Sequence, residues 1–396
     1  MPAIMSFMSK EDIGRAKSVR PEISSKPREN SSALSADPIQ EKLSRLNAVE
    51  LPVKGIYLNE KLLPETLRDL VPKKGRVGTF PFLVRSQHTE DSNSLRFATR
   101  NRHNRSAYLG TCQVTDGENR YIYMDVKGVG QSIHRKHYGG TGLQWHRNGN
   151  RDPLGILSRS LAENDLDFSE RFAHAGVGGH RVVAMLEYKE LPVGQVGQNV
   201  TLAKVSRLRG LRNDARNKLH DEPVAALRIF SEVRLDSLLS GELAPVLTRL
   251  NERFGCKLRT ARDYCYWFAK QAATNAAIMH KLGCTHKYLS DHNVLADGTF
   301  IDLDSVTGPE DYGSTREKLG DNSKLRDTSM FPNTFGARKE YDTRMLMLEI
   351  VSLWHKLIRK KEGEHLQVAV NLKALEALFT LAYNTEMKKP RLSRFE

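Results

Sequence analysis

Cysteine is scarce in this chain. Its four cysteines, Cys112, Cys256, Cys265 and Cys284, are too few and too scattered for a disulfide framework. They also lack the close pairing of a zinc site. A reducing, cytoplasmic setting is the simpler reading. Long apolar runs are missing as well, and none approaches the roughly 18 residues of a membrane-spanning helix. The N-terminus has no apolar core of the secretory type. No internal repeat is visible. What is in surplus is positive charge: 61 Lys plus Arg against 47 Asp plus Glu, a net of +14. Such a balance attracts polyanions, including nucleotides, nucleic acid, anionic membrane and acidic proteins, or it serves solubility alone.

A length of 396 residues allows two or three core-forming units. Residues 1–50 are polar, Ser-, Lys- and Pro-containing and nearly free of aromatics, which predicts a disordered segment. Order is expected from Leu51. Segment 119–127 alternates, with Ile122, Met124 and Val126 on one face and Tyr121, Tyr123, Asp125 and Lys127 on the other, so it reads as a strand. A glycine-rich polar stretch follows to about 152. Residues 156–175 have helical spacing, with acids at 163, 165, 167 and 170. Residues 181–188 and 223–235 are strand-like. Between them, 190–222 reads as a basic loop or insertion carrying Lys204, Arg207, Arg209, Arg212, Arg216 and Lys218. From about 240 the chain turns helical. The clearest helix is 260–282, with Tyr264, Phe268, Ala272 and Ala276 on one stripe, and 341–359 and 367–383 are amphipathic.

The chemistry concentrates in residues 286–304, HKYLSDHNVLADGTFIDLD. Asn293 and Asp302 stand nine residues apart. Between them lie the apolar Val294-Leu295, the turn signal Asp297-Gly298 and the strand-like Thr299-Phe300-Ile301. That path brings an amide and a carboxylate together as hard oxygen ligands for one Mg²⁺, or Mn²⁺, with Asp304 as a further ligand or a neighbour. The run resembles the catalytic and metal loops of kinases, H-R-D-L-x-x-x-N followed by a metal-binding Asp, except that Tyr288 stands where the catalytic Asp belongs. The fold class expected is α+β, a two-lobed kinase-like fold: a β-rich lobe over 51–238 and a helical lobe over 239–396. Lys127 closes a strand beside Gly128 and Gly130, as a phosphate lysine or as an ordinary strand end. Its helical acidic partner would be Glu163 first and Glu170 second. Arg228 and Arg234 suit bidentate phosphate recognition, or lie on the surface. Asp342 either anchors the catalytic loop or caps its own helix.

The order Lys127-Gly-Val-Gly, acidic helix, Gly176-Val-Gly-Gly-His-Arg181, paired arginines, Gly283-Cys-Thr-His-Lys-Tyr-Leu-Ser-Asp-His-Asn293 and Phe300-Ile-Asp302 resembles the selenoprotein O family. The resemblance spans roughly residues 95 to 310. It implies a kinase-like fold that transfers AMP from ATP to protein hydroxyls, with the nucleotide inverted relative to ordinary kinases. It implies Lys127, Arg228 and Arg234 on phosphates and Asn293 and Asp302 on metal. Arg105, and Gly149 and Asn150 of Asn148-Gly-Asn-Arg151, stand where the family has two Gly-Asp-Gly-Arg motifs. Both motifs are degraded here, and the arginine pair is one residue closer. The family's proposed base directly precedes the metal Asn. Here that residue is His292, with Asp291 one step earlier.

The function expected is therefore an ATP- and Mg²⁺-dependent transferase that moves AMP to a protein acceptor, with His292 or Asp291 handling the acceptor proton. A phosphotransferase is the alternative. So is an inactive module that binds polyanions through 204–218, although that segment lacks the aromatics of a single-strand binder. A polar N-terminus on such a fold would also suit a bacterial effector.

Overall fold

The computed structural model describes residues 44–80, 82–84, 95–99, 106–130, 155–193, 201–210, 221–238, 243–309, 334–359 and 365–390. The strands are β1 (Ser44–Glu50), β2 (Val53–Leu58), β3 (Val77–Gly78), β4 (Phe82–Val84), β5 (Leu95–Thr99), β6 (Ser106–Asp116), β7 (Asn119–Lys127), β8 (Leu157–Ser158), β9 (His180–Tyr188), β10 (Glu190–Val193), β11 (Thr201–Lys204) and β12 (Pro223–Phe230). The helices are α1 (Arg159–His174), α2 (Val205–Gly210), α3 (Leu243–Phe254), α4 (Ala261–Lys281), α5 (Phe335–Trp354) and α6 (His365–Lys388), and a π-helical turn, His355–Arg359, extends α5. The architecture is α+β.

Ten strands form one sheet in the order β3-β2-β9-β12-β7-β6-β5-β1-β4, with β8 added beside β12. Central strands must hide both faces, and β12 shows the consequence: all eight of its residues are buried. Its alternation splits them between two cores. Ala225, Leu227 and Ile229 join a cluster with Val126, Val183, Leu186 and Tyr188. Val224 and Ala226 join Leu157, Ala162 and Val182 on the opposite face. Arg228 and Phe230 share the phase of the second set. The register pairs Arg228 with Asp125 and Ala226 with Lys127, so period two alone places Asp125, Lys127 and Arg228 on one face.

Helix α4 starts at a capping box, in which Thr260 accepts from the Asp263 amide while the Asp263 carboxylate accepts from Thr260 N–H. It stops at Gly283, whose φ of +78° suits a residue without Cβ. Tyr264, Phe268, Ala272 and Ala276 are all fully buried along it. Its alanines let the Asp297-Gly298 turn lie close, and a Cβ on Gly298 would sit 3.0 Å from the Ala272 nitrogen.

Two expectations need correction. Residues 44–50 form β1 and pair with β5 and β4, so order begins before Leu51. Residues 1–43 lie outside the described part. The basic stretch 190–222 begins as a hairpin, β10 on β11, followed by α2. Its basic side chains hid the β-branched and apolar Val193, Thr201 and Leu202 from a loop reading. Residues 211–220 lie outside the described part.

The turn before β9 is glycine-rich for want of space. A Cβ on Gly179 would fall 2.5 Å from Thr299 Oγ1 and 2.7 Å from the Phe300 carbonyl oxygen. Gly179→Ala is expected to cost about 1–3 kcal/mol through overpacking, read as a lower midpoint in urea unfolding.

Candidate active site

Asp302 sits where three cations meet. Its Oδ1 accepts from Lys127 Nζ at 3.0 Å and from Arg228 Nη1 at 2.6 Å. Its Oδ2 accepts from Arg234 Nη1 at 3.2 Å. The residue holds a left-handed backbone, φ +57° and ψ +48°, which costs a non-glycine residue of order 1–3 kcal/mol and clusters at functional sites. Burial alone would raise its pKa, but Lys127, Arg234 and Arg228 hold it well below the ordinary carboxylate value. Lys127 also donates to Asp304 Oδ1 at 2.8 Å. Burial acts to lower the pKa of Lys127, and Asp302 and Asp304 outweigh it, so the net direction is up.

Sequence reasoning missed three members of this cluster. Asp125, between Met124 and Val126 on β7, takes Arg228 Nε at 3.0 Å and Nη2 at 2.9 Å, a two-pronged pair. Asp165 of α1 is fully buried; it accepts from the Leu303 amide at 3.0 Å, contacts His180 Nε2 at 3.0 Å and lies 3.6 Å from Arg228 Nη1. Asn164 beside it donates Nδ2 toward the carbonyls of Leu303, Asp304 and Val306. Glu163, the expected acidic partner, is not in the cluster. It pairs with Arg159 one turn back on the exposed side of α1. Glu170 pairs with Arg181. The signal was present in the spacing. Ala162, Asp165, Phe168 and Phe172 form the buried stripe of α1, and an acid on an apolar stripe needs a buried partner.

Arg228 also requires revision. It is fully buried, with its donors committed to Asp125 and Asp302, so it braces Asp302 and does not present itself to a phosphate. Burial would lower its pKa, and Asp125 and Asp302 drive it well up instead. Arg234 does more than bind Asp302. The same Nη1 donates to the carbonyl of His292 at 2.6 Å, so one nitrogen spans the loop and the carboxylate.

The loop itself is held from below. His286 lies in the buried interior with Nε2 donating to the Ile301 carbonyl at 2.7 Å, and burial pushes its pKa down. Asn293 donates Nδ2 to the Tyr288 carbonyl at 2.8 Å. Its Oδ1 is buried and has no hydrogen-bond partner. A flipped amide would set oxygen against oxygen, so the assignment follows from the partner. Val294 bridges to Phe300, and the Ile301 amide donates to the Asn293 carbonyl at 3.0 Å. This short hairpin therefore closes as the spacing predicted. Helix α3 clamps the surroundings. Arg249 grips buried Glu232 through two bonds of 2.9 and 2.6 Å, and Arg253 donates to Asp297 Oδ2 at 2.7 Å.

No family model matches the chain, and no curated protein matches it. Among solved structures it is similar to the specific rhoptry antigen kinase domain of Toxoplasma gondii. The TM-score is 0.30 and the identity 9%, over 75% of this chain and 83% of that one. A TM-score that low does not equate two folds. The resemblance to selenoprotein O rests on its motifs.

Next to Asn293, His292 is partly exposed and has Ser290 Oγ at 3.0 Å. Asp291 is held well below the ordinary carboxylate range, first by its hydrogen bond with His292 and then by Lys356, whose Nζ is 3.1 Å away. A carboxylate held so low is a poor proton acceptor. Tyr288, at the missing catalytic position, is 47% exposed. Arg105, Gly149 and Asn150 lie outside the described residues, as do residues 131–154.

The donor set suits a hard divalent ion. Asn293 Oδ1 is unpartnered, Asp302 Oδ2 has accepted one bond, and Asp304 adds a second carboxylate. Lys127, Arg228 and Arg234 face Asp125, Asp165, Asp302 and Asp304, three positive groups against four negative. A divalent cation would turn that net of −1 into +1, the sign an incoming polyphosphate needs.

Proposed function

We propose that the chain is an ATP-using transferase on a kinase-like scaffold, and that it moves AMP to a hydroxyl of a protein acceptor. One observation carries this reading: the buried, unpartnered Asn293 Oδ1 in the same hairpin as the left-handed Asp302, which is ion-paired to the strand lysine Lys127. Buried polar atoms without partners are rare enough to require a reason. An oxygen reserved for a cation supplies one.

In this reading Asn293, Asp302 and Asp304 hold Mg²⁺ or Mn²⁺. The ion, when bound, neutralises and orients phosphate oxygens. Lys127 closes β7 immediately before Gly128. A Cβ there would lie 2.5 Å from the Val224 carbonyl oxygen, so the chain runs tight beneath the phosphate side. Arg228 fixes Asp302. Arg234 fixes both Asp302 and the His292 carbonyl. His292 accepts the proton of the attacking hydroxyl. The acceptor oxygen bonds to the α-phosphorus, the bond to the bridging oxygen breaks, and pyrophosphate leaves. The motif resemblance to selenoprotein O favours this direction over γ-phosphoryl transfer.

A silent, nucleotide-free module is the second reading. It is favoured by the fact that Lys127, Arg228 and Arg234 are at most 4% exposed and already paired with carboxylates. Parallel incubations with ATP labelled at the α- or the γ-phosphate separate the possibilities. Label from the α-position only is expected. Label from γ only would establish a phosphotransferase, and none from either would leave the silent module.

A further inference from the structure

Side chains of three helices form a chain that ends in one buried carboxylate, bonded to the start of the 286–293 loop. Asp342 of α5 is fully buried. Its Oδ2 accepts from the His286 amide at 2.7 Å, and its Oδ1 accepts from the Lys287 amide at 2.8 Å. His280, near the end of α4, places Nε2 3.4 Å from the same Oδ2. Its other nitrogen, Nδ1, lies 2.7 Å from the Tyr383 hydroxyl of α6.

The partners dictate where the protons are. A carboxylate only accepts, so Nε2 carries the hydrogen. Burial lowers the pKa of His280 despite Asp342, which keeps the ring neutral at neutral pH. Nδ1 is then a bare acceptor and Tyr383 donates to it. The opposite tautomer would point a lone pair at the carboxylate.

What Asp342 holds is strained. Lys287 has φ +71°, a conformation side-chain-bearing residues rarely adopt unless their surroundings enforce it. The next residue, Tyr288, offers its carbonyl to Asn293 Nδ2. That bond fixes the Asn293 amide and leaves its buried Oδ1 without a hydrogen-bond partner.

We infer that Tyr383 and His280 are positioning residues. They fix Asp342, and through the strained turn at Lys287 they set the direction of Asn293 Oδ1. The relay begins on the last helix and ends at the proposed cation ligand. Its ligand end rests on the functional reading above; its loop-holding part does not.

The test uses the full chain with Tyr383→Phe. The phenyl ring keeps the stacking on Phe379, at 6.4 Å and 9°, and the edge contact with His280, at 5.7 Å. Only the hydroxyl is lost. Hydrogen exchange at the His286 and Lys287 amides is expected to rise on the order of fivefold, as loss of one buried hydrogen bond allows. The His280 Nδ1 shift is expected to move because that nitrogen loses its donor, while Nε2 stays protonated against Asp342. Mn²⁺ affinity, followed by electron paramagnetic resonance, should fall by a similar factor. His280→Gln, which can still donate to Asp342 and accept from Tyr383, is expected to retain the amide protection that His280→Leu loses. Unchanged exchange and an unchanged Nδ1 shift in Tyr383→Phe would overturn the relay. So would full protection in His280→Leu. A wild-type protein that binds no Mn²⁺ would overturn the ligand end together with the functional reading, while the exchange data judge the relay on its own.

Discussion

Asp302→Asn is expected to abolish transfer of label from ATP and to destabilise the fold by about 3 kcal/mol. Both effects come from one atom set. The carboxylate offers two oxygens to Lys127, Arg228 and Arg234, and its side chain is only 19% exposed. The amide keeps one oxygen, loses the charge, and points an N–H₂ group at a cation. Three positive groups are then left with Asp125, Asp165 and Asp304. Residual stability can be separated from chemistry by assaying well below the unfolding midpoint, with denaturation curves measured alongside. Undiminished α-label transfer by a folded Asp302→Asn protein would remove the transferase proposal. A loss of label without loss of stability would show that the ion pairs contribute little and that the role of Asp302 is confined to its ligands.

Arg228→Met is expected to be the most damaging single change to stability in the sheet, at about 3–5 kcal/mol, because it strands a buried carboxylate. Asp125 loses both prongs of its pair, and Asp302 loses its shortest contact. A phosphate-facing arginine would behave differently: its removal would weaken nucleotide binding and leave the denaturation midpoint in place. The double variant Asp125→Leu/Arg228→Met tests the cause. Removing both partners of a buried pair is far less costly than removing one, so the double variant is expected to recover much of the lost stability. Failure to recover would mean that Arg228 acts mainly through Asp302 and Asp165.

The regular elements were legible because each repeats a simple period. The strand read over 119–127 is β7 residue for residue, but its faces are not the simple alternation expected: Tyr121 packs with Met124 and Val126, and Ile122 packs on the cluster of Tyr123. The helix over 260–282 coincides with α4 because its stripe is unbroken and its cap chemistry is local. The hairpin between Asn293 and Asp302 was legible because its turn is short and marked by Asp297-Gly298. The misreadings have separate causes. Glu163 was named the acidic partner, although the apolar stripe of α1 singles out Asp165 as the acid that must be buried. Arg228 was read as a ligand because its cross-strand neighbour, Asp125, lies more than a hundred residues away, and periodicity is blind to register. The left-handed turn at Asp302 leaves no mark in composition at all.

Arg249 and Arg253 stand one turn apart on α3, and the acids they grip belong to separate stretches of chain, Glu232 just after β12 and Asp297 in the hairpin between Asn293 and Asp302. The segment bearing Arg234 and the hairpin bearing Asn293 are thereby riveted to a single rod. Mechanically, neither can slide past the other without breaking a buried charge pair. Any displacement around Asp302 must therefore carry both stretches along with α3 as one body.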